Sequence, residues 1–263
     1  MKAIILAAGS GTRLKKYTKN LPKGMLEFNG KSLIEHQIDT YKAQGIHDIV
    51  VVTGFAHEQI NIDGVKIYHN AEYDSTNMVE SLMKAKQEFD EDIIVSYSDI
   101  IFSEDLLSTL IQEEDAVSVS VDIAWEKYWQ ARYGTQNFDT ESLKLSKEQK
   151  ILSLGVEDVP PEEIDARFVG IMKFSRSTLT DMVKIYENAR LNHGPEEGWK
   201  HSGKPVKKSY MTDLLQAFID EGYEVHASLV KNGWLEFDTN EDYELARQWL
   251  QDKTIQRFIN LKQ

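Results

Sequence analysis

In the first half of the chain, short continuous apolar runs alternate with stretches whose apolar residues recur at helical spacing. Lys2-Ala3-Ile4-Ile5-Leu6-Ala7-Ala8 is apolar at successive positions, the pattern of a strand buried on both faces. After it, Leu33, Ile34 and Ile38 recur at helical spacing from Ser32 up to Gly45. Ile49–Thr53, ended by Gly54, and Val65–Tyr68 read as strands, and Met78–Phe89 as a helix. Ile93–Tyr97 predicts a fourth strand, Leu106–Ile111 a helix and Ala116–Val121 a fifth strand. Strands separated by helical stretches predict an α/β fold: a doubly wound, mostly parallel, Rossmann-like sheet with helices on both faces. The second half is less regular. Lys150–Gly155 and Arg167–Phe174 read as strands of a small β-rich appendage, joined by an acidic segment containing Pro160-Pro161. Thr178–Leu191 and Met211–Glu221 read as helices, and Glu224–Val230 as a strand. Glu241–Leu261 predicts a last amphipathic stretch with Tyr243, Ala246, Trp249 and Leu250 on one face. Residues 192–208, rich in Gly, Pro and Lys, fit either a lid or an ordinary surface loop. No internal repeat or low-complexity tract appears. The organisation expected is a single domain over 1–263, with a nucleotide-binding half at 1–121 and an acceptor-binding half at 122–263.

Composition narrows the chemistry. A chain of 263 residues can bury a large core, and the absence of cysteine excludes disulfides, thiolate catalysis and cysteine metal sites. No charged-then-apolar leader opens the sequence and no apolar run approaches a membrane span, so a cytoplasmic protein without a membrane partner is expected. The net charge of −13 argues against nucleic acid as a partner. That charge is unevenly placed. Residues 1–31 hold seven basic residues against Glu27 alone, a net of +6 that leaves −19 over the remainder. An anion is expected at this end.

The chemistry that end can carry lies directly after the first strand, in Gly9-Ser10-Gly11-Thr12-Arg13, followed after eight intervening residues by Pro22-Lys23. Glycines let backbone N–H groups approach a polyphosphate, while Arg13 and Lys23 supply charge. Leu14 stands where the dinucleotide fingerprint needs its third glycine, and no Gly-Lys-Ser/Thr follows for a P-loop. The combination points to a nucleoside triphosphate, against the plainer reading of a tight basic turn. Transferring a nucleotidyl group concentrates negative charge and calls for a divalent ion held by hard oxygen ligands. Asp99, just beyond an apolar strand, and Asp238 in Gly233-Trp234-Leu235-Glu236-Phe237-Asp238 are the candidates; either also fits a helix cap or turn. Alternation places Glu236 and Asp238 on the same side of an extended chain. The seven histidines show no ligand spacing, and no Gly-x-Ser-x-Gly elbow supports hydrolase chemistry.

The glycine loop with Thr12-Arg13 and Pro22-Lys23 resembles that of the nucleotidyltransferases that join a phosphate monoester to a nucleoside monophosphate. Four further blocks extend the resemblance to the small cytidylyltransferases that activate phosphocholine, 2-aminoethylphosphonate or phosphoglutamine. They are Asn70–Leu82, Tyr97-Ser98-Asp99-Ile100, Asp122–Trp125 with Trp129 and Arg132, and Glu236-Phe237-Asp238. The resemblance implies that Asp99 and Asp238 hold Mg²⁺. It places Leu6, Ala7, Ala8 and Gly9 around a pyrimidine through backbone groups, and Asn77 and Ser81 near the base or ribose. Thr76-Asn77 fits a helix N-cap equally well. Gly11, Thr12, Arg13, Ser98 and Asp99 complete the implied nucleotide site, with Lys23 and Arg13 as the catalytic cations. Asp122, Trp125, Trp129, Glu126 and Glu236 make an aromatic and acidic set suited to an ammonium group. A stripe packing a helix against the sheet is the duller alternative for the tryptophans. Lys173 is a candidate for the acceptor phosphate or a solvated strand lysine. The activity implied is a Mg²⁺-dependent cytidylyltransferase using CTP and a small amino-bearing phosphate or phosphonate. A sugar 1-phosphate enzyme using UTP, dTTP or GTP, and a catalytically silent nucleotide-binding module, are the alternatives. The acidic arm at 139–165 is a candidate homodimer contact.

Overall fold

The computed structural model describes residues 1–261 apart from Pro195 and Lys200. Its central sheet has seven strands: β1 (Lys2–Ala7), β2 (Ile49–Thr53), β3 (Lys66–His69), β4 (Ile93–Tyr97), β5 (Val117–Asp122), β6 (Arg167–Phe174) and β7 (His226–Val230). They lie in the order β7-β5-β6-β4-β1-β2-β3. All neighbours are parallel except β6, which runs antiparallel to both β4 and β5. Besides a single turn at Lys15–Thr18, the helices among the described residues are α1 (Leu33–Ala43), α2 (Met78–Lys84), α3 (Glu104–Gln112), α4 (Trp125–Tyr133), α5 (Arg176–Asn192), α6 (Met211–Asp220) and α7 (Asn240–Gln251). This is the mostly parallel, doubly wound sheet expected.

The unbroken apolar run of β1 has a simple cause. Ala3, Ile5 and Ala7 enter a core shared with α1, α3, α4 and α7, whereas Ile4 and Leu6 enter one shared with α2, α5 and α6. With both faces covered, Ala3 to Ala7 are all apolar, and the one charged residue of the strand, Lys2 at its start, is buried in ion pairs with Glu88 and Asp90. Local signals set the helix starts. Ser32 caps α1 through a reciprocal box with Glu35, and Thr239 caps α7 through one with Asp242.

Two minor ladders shape the sheet's carboxyl edge. Ile100–Phe102 pairs antiparallel with Trp234–Glu236, and Glu141–Leu145 pairs with Ile151–Glu157. The first of these strands has three residues, too few to show a period. Two predicted helices are shorter than expected. The helix from Met78 ends at Lys84 and continues as a 3₁₀ turn at Lys86–Glu88, and α7 stops at Gln251 before left-handed Lys253 and a 3₁₀ turn. The loop after α5 is tied to the site: Asn77 N–H donates to Lys207 O at 2.9 Å and Val79 N–H to Ser209 O at 3.3 Å.

Candidate active site

The glycine loop leaves β1 at the carboxyl edge of the sheet, where open α/β folds bind ligands. Gly11 has φ +58°, and a Cβ there would press on Lys23 Cβ at 3.2 Å, so the turn and the lysine segment pack together only with glycine. Gly24 is tighter still; its added Cβ would lie 2.7 Å from Ile34. This seating directs Lys23 inward. Its Nζ lies 2.7 Å from Asp99 Oδ2 and 2.5 Å from Asp238 Oδ1, and Arg13 Nη2 reaches Asp238 Oδ1 at 3.1 Å.

The meeting of Asp99 and Asp238 follows from the short ladder. Glu236 is in register with Ile100, and Phe237 N–H donates to Asp99 O at 2.9 Å, so the residues flanking this pairing are brought together. Burial works against charge on Lys23, but Asp99 and Asp238 outweigh it and hold its pKa above the ordinary range. Burial likewise opposes charge on Asp238, and Lys23 with Arg13 overcomes it, leaving that carboxylate well below the usual range. Asp99 Oδ1 is buried without a hydrogen-bond partner.

Beside this cluster is a cavity of about 200 Å³. Leu6 of β1 and Ala8, Gly9 and Gly11 of the loop line it; Arg13, Lys23, Asp99 and Asp238 supply its charge; Asn77, Ser81 and Ser98 close another side. Asn77 also caps α2, its Oδ1 accepting from Met78 N–H, so capping and lining coexist. Tyr73, Met78 and Tyr97 line the cavity too; they lie within the blocks Asn70–Leu82 and Tyr97-Ser98-Asp99-Ile100, but no role was assigned to them from the sequence. A second cavity, of about 490 Å³, shares Arg13, Met78, Tyr97 and Asp238 with the first. It continues past Thr12 and Glu236 to Glu141 and Arg167. A polyanion site with a roomy annexe at the carboxyl edge is what transfer from a nucleoside triphosphate to a second substrate requires.

Residues 3–151 match the MobA-like NTP transferase domain. The chain belongs to this family and is a nucleotidyltransferase. A CTP:phosphoglutamine cytidylyltransferase from Campylobacter jejuni is 33% identical over 256 residues, covering 93% of this chain and 98% of the relative. A choline-phosphate cytidylyltransferase from Streptococcus pneumoniae is 40% identical over 106 residues, 39% of this chain and 46% of the relative. The solved structure of a CTP:phosphocholine cytidylyltransferase from S. pneumoniae has the same fold, with a TM-score of 0.72 at 23% identity over 95% of this chain and 98% of its own.

Within this nucleotidyltransferase, several residues expected at the substrate line neither cavity. Trp125 and Trp129 are 2% and 0% exposed, packed edge to face at 6.0 Å, and Trp129 Nε1–H donates to Phe138 O. They are core: both indoles sit in the buried cluster that packs α4 against the sheet and α7. Asp122 is buried with both oxygens used: Oδ1 accepts from the Ala124 and Asn232 N–H groups and Oδ2 from Trp234 Nε1–H. It joins β5 to the Trp234 segment. Burial pushes its pKa up and those hydrogen bonds pull it back. Lys173 lies in register with Ile94, near the start of β4, and donates to the carbonyls of Ile111 and Glu113. The antiparallel direction of β6 carries it away from the loop. Ala7 stays inside β1, 2% exposed, and Thr12 faces the second cavity.

Glu236 lines the second cavity and accepts from Arg132 Nη1 at 2.5 Å. Burial and then the Asp238 charge push its pKa up, against the pull of Arg132. Arg132 is also held by Asp242, Nε to Oδ1 at 2.6 Å and Nη2 to Oδ2 at 2.8 Å. Asp242 in turn accepts from the Asp238 and Thr239 N–H groups. The Thr239-x-x-Asp242 spacing was the one available signal for that residue.

Proposed function

We propose that this chain transfers the cytidylyl group of CTP to a small phosphate or phosphonate bearing an amino group, releasing pyrophosphate. The observation that carries the reading is the convergence of Lys23, Arg13, Asp99 and Asp238 at the mouth of the glycine loop. Similarity to a CTP:phosphoglutamine cytidylyltransferase over nearly the whole chain supports the choice of nucleotide and acceptor class.

An acceptor phosphate has its second pKa at about 6 and is largely ionised at neutral pH, so no protein base is needed. One of its oxygens forms a bond to the α-phosphorus, the bond from that phosphorus to the bridging oxygen breaks, and pyrophosphate leaves with the electron pair. Arg13 and the loop amides hold the β- and γ-phosphates, and Lys23 offsets charge near the α-phosphate. Asn77 and Ser81 line the cavity, and in this reading they face the base or ribose. Mg²⁺ is the cofactor this reading calls for. Two features support the fit: Asp99 Oδ1 has no partner, and two carboxylates already converge on one cationic atom, Lys23 Nζ. Asp99 and Asp238 would hold the ion, and phosphate oxygens and water commonly fill its other positions. When bound, it supplies charge neutralisation on the triphosphate.

The test is pyrophosphate release with Mg²⁺ and each nucleoside triphosphate against phosphocholine, 2-aminoethylphosphonate, phosphoglutamine and glucose 1-phosphate, with Lys23→Ala as control. Release with CTP and an amino acceptor, lost in the variant, is expected. Release with glucose 1-phosphate alone, using UTP, dTTP or GTP, would replace the reading with a sugar 1-phosphate enzyme. Binding of nucleotide without release from any pair would leave a nucleotide-binding module.

A further inference from the structure

Two buried arginines flank Trp129, and their surroundings differ. Every nitrogen of the Arg132 guanidinium donates to Asp242 or Glu236. Arg167, at the first position of β6, is 9% exposed and lies over the Trp129 ring at 4.3 Å, which fixes the plane of its guanidinium. Its Nη1 is buried with no hydrogen-bond partner, and its nearest carboxylate oxygen, on Asp139, is 4.0 Å from Nη2. A guanidinium presents five donors in a rigid fork, and burying one of them unpaired is costly. Such a cost persists where a ligand repays it.

The position of this fork says which part of a ligand it meets. The cavity that Arg167 lines meets the nucleotide cavity at Arg13 and Asp238, whereas Arg167 itself lies outside the shared boundary. An acceptor whose phosphoryl group reaches the α-phosphorus beside Lys23 therefore presents its far end to Arg167. That far end also meets negative charge, because Glu141, Asp139 and Glu157 line the same cavity. The backbone beside Arg167 packs closely on Tyr97, which lines both cavities. A bulge in β6 between Phe168 and Met172 contains Gly170 at φ +89°, where a Cβ would touch the Tyr97 ring at 3.0 Å. Fork and acids together make a receptor for a zwitterion.

We infer that the acceptor carries a carboxylate as well as an ammonium group, and that Arg167 receives the carboxylate while Glu141 and its acidic neighbours receive the ammonium. This rests on the cytidylyltransferase reading and sharpens it: an acceptor with an amine alone leaves the guanidinium unpaired, and one with an amino-acid end satisfies both signs. Arg167 is then the residue that separates phosphorylated amino acids from phosphorylated amines.

Matched pairs test it, each member differing from its twin only by the carboxylate. O-phosphoserine is set against phosphoethanolamine, and phosphoglutamine against its decarboxylated analogue. Pyrophosphate release with CTP and calorimetric affinity in the presence of a non-hydrolysable CTP analogue are both measured. In at least one pair the carboxylate-bearing twin is expected to exceed the other by about 30-fold or more in kcat/KM and in affinity. Arg167→Gln should bring the ratio near one, mainly through KM, and Arg167→Lys should restore part of it. Equal use of both twins by the unaltered protein would overturn the inference while leaving cytidylyl transfer standing, and needs no variant to fold. So would equal loss for both twins in Arg167→Gln, which would assign Arg167 to the phosphoryl group. No separation of either pair in either measurement overturns it as well. Release with another nucleoside triphosphate and not with CTP counts instead against the cytidylyl reading.

Discussion

Two ionic clusters meet at Asp238, built from the same residue types and put to different use. In one, Lys23 and Arg13 face Asp99 and Asp238 beside an open cavity, Asp99 Oδ1 lacks a partner, and Arg13 is 59% exposed along its side chain. In the other, Arg132 is 1% exposed, and its Nε, Nη1 and Nη2 all donate to the carboxylates of Asp242 and Glu236. Rings of Tyr128, Trp129 and Tyr133 surround that guanidinium. Burial alone does not mark a working site, since both clusters are largely buried. Unfilled bonding capacity facing a cavity does. The saturated cluster holds α4 against α7 and the Trp234 segment, and so fixes the strand end from which Asp238 projects.

The largest effect expected is on the saturated side. Arg132→Ala would leave Asp242 and Glu236 as buried carboxylates without their cation, at a cost of about 3–5 kcal/mol. Urea unfolding measures it. Lys23→Ala should behave in the opposite way, lowering turnover ~10²-fold or more while shifting the unfolding midpoint less than Arg132→Ala does, because the cavity admits water and counterions to Asp99 and Asp238. A Lys23→Ala protein as unstable as Arg132→Ala would erase the distinction. So would an Arg132→Ala protein of full stability and little activity.

The nucleotide end was the legible end because its signals are local. Ala3 to Ala8 reads as a doubly buried strand from composition alone, and the glycine loop with Lys23 spans one short segment. Asp99 and Asp238 could be nominated singly; their meeting depends on a three-residue ladder with no period to read. The acceptor end misled for two physical reasons. A helical stripe such as Trp125 and Trp129 looks the same whether it faces a core or a ligand, and only packing decides. On β6, alternation singled out Lys173 at one end of the strand without revealing the strand's direction. Because β6 runs antiparallel to β4, its first residue, Arg167, lies at the edge that carries the second cavity and Lys173 at the opposite one.

That opposite edge carries a third cluster, which serves as the control for the other two and has the smallest expected effect. Lys2, buried at the start of β1, lies 2.8 Å from Glu88 and 2.6 Å from Asp90, and Glu88 also accepts from Lys66 and Tyr68. The hydrogen bond from Lys2, then that from Tyr68, lowers the Glu88 pKa from an ordinary 4.5 to about 2. The folded value lies below the unfolded one, so the stabilisation is complete above pH 4.5 and is lost as the pH falls towards 2. With Lys66 exposed and solvent screening part of the attraction, roughly 1–2 kcal/mol is expected. Urea unfolding of the unaltered chain and Glu88→Gln at pH 7, 4.5 and 3 measures it. The two should differ most at pH 7 and converge towards pH 3, while nucleotidyl transfer at pH 7 stays unchanged in the variant. A stability difference that ignores pH would mean the cluster acts by packing rather than charge. Loss of transfer would mean that satisfied and unsatisfied clusters on this sheet are coupled, and that bonding capacity at one edge does not by itself tell scaffold from site.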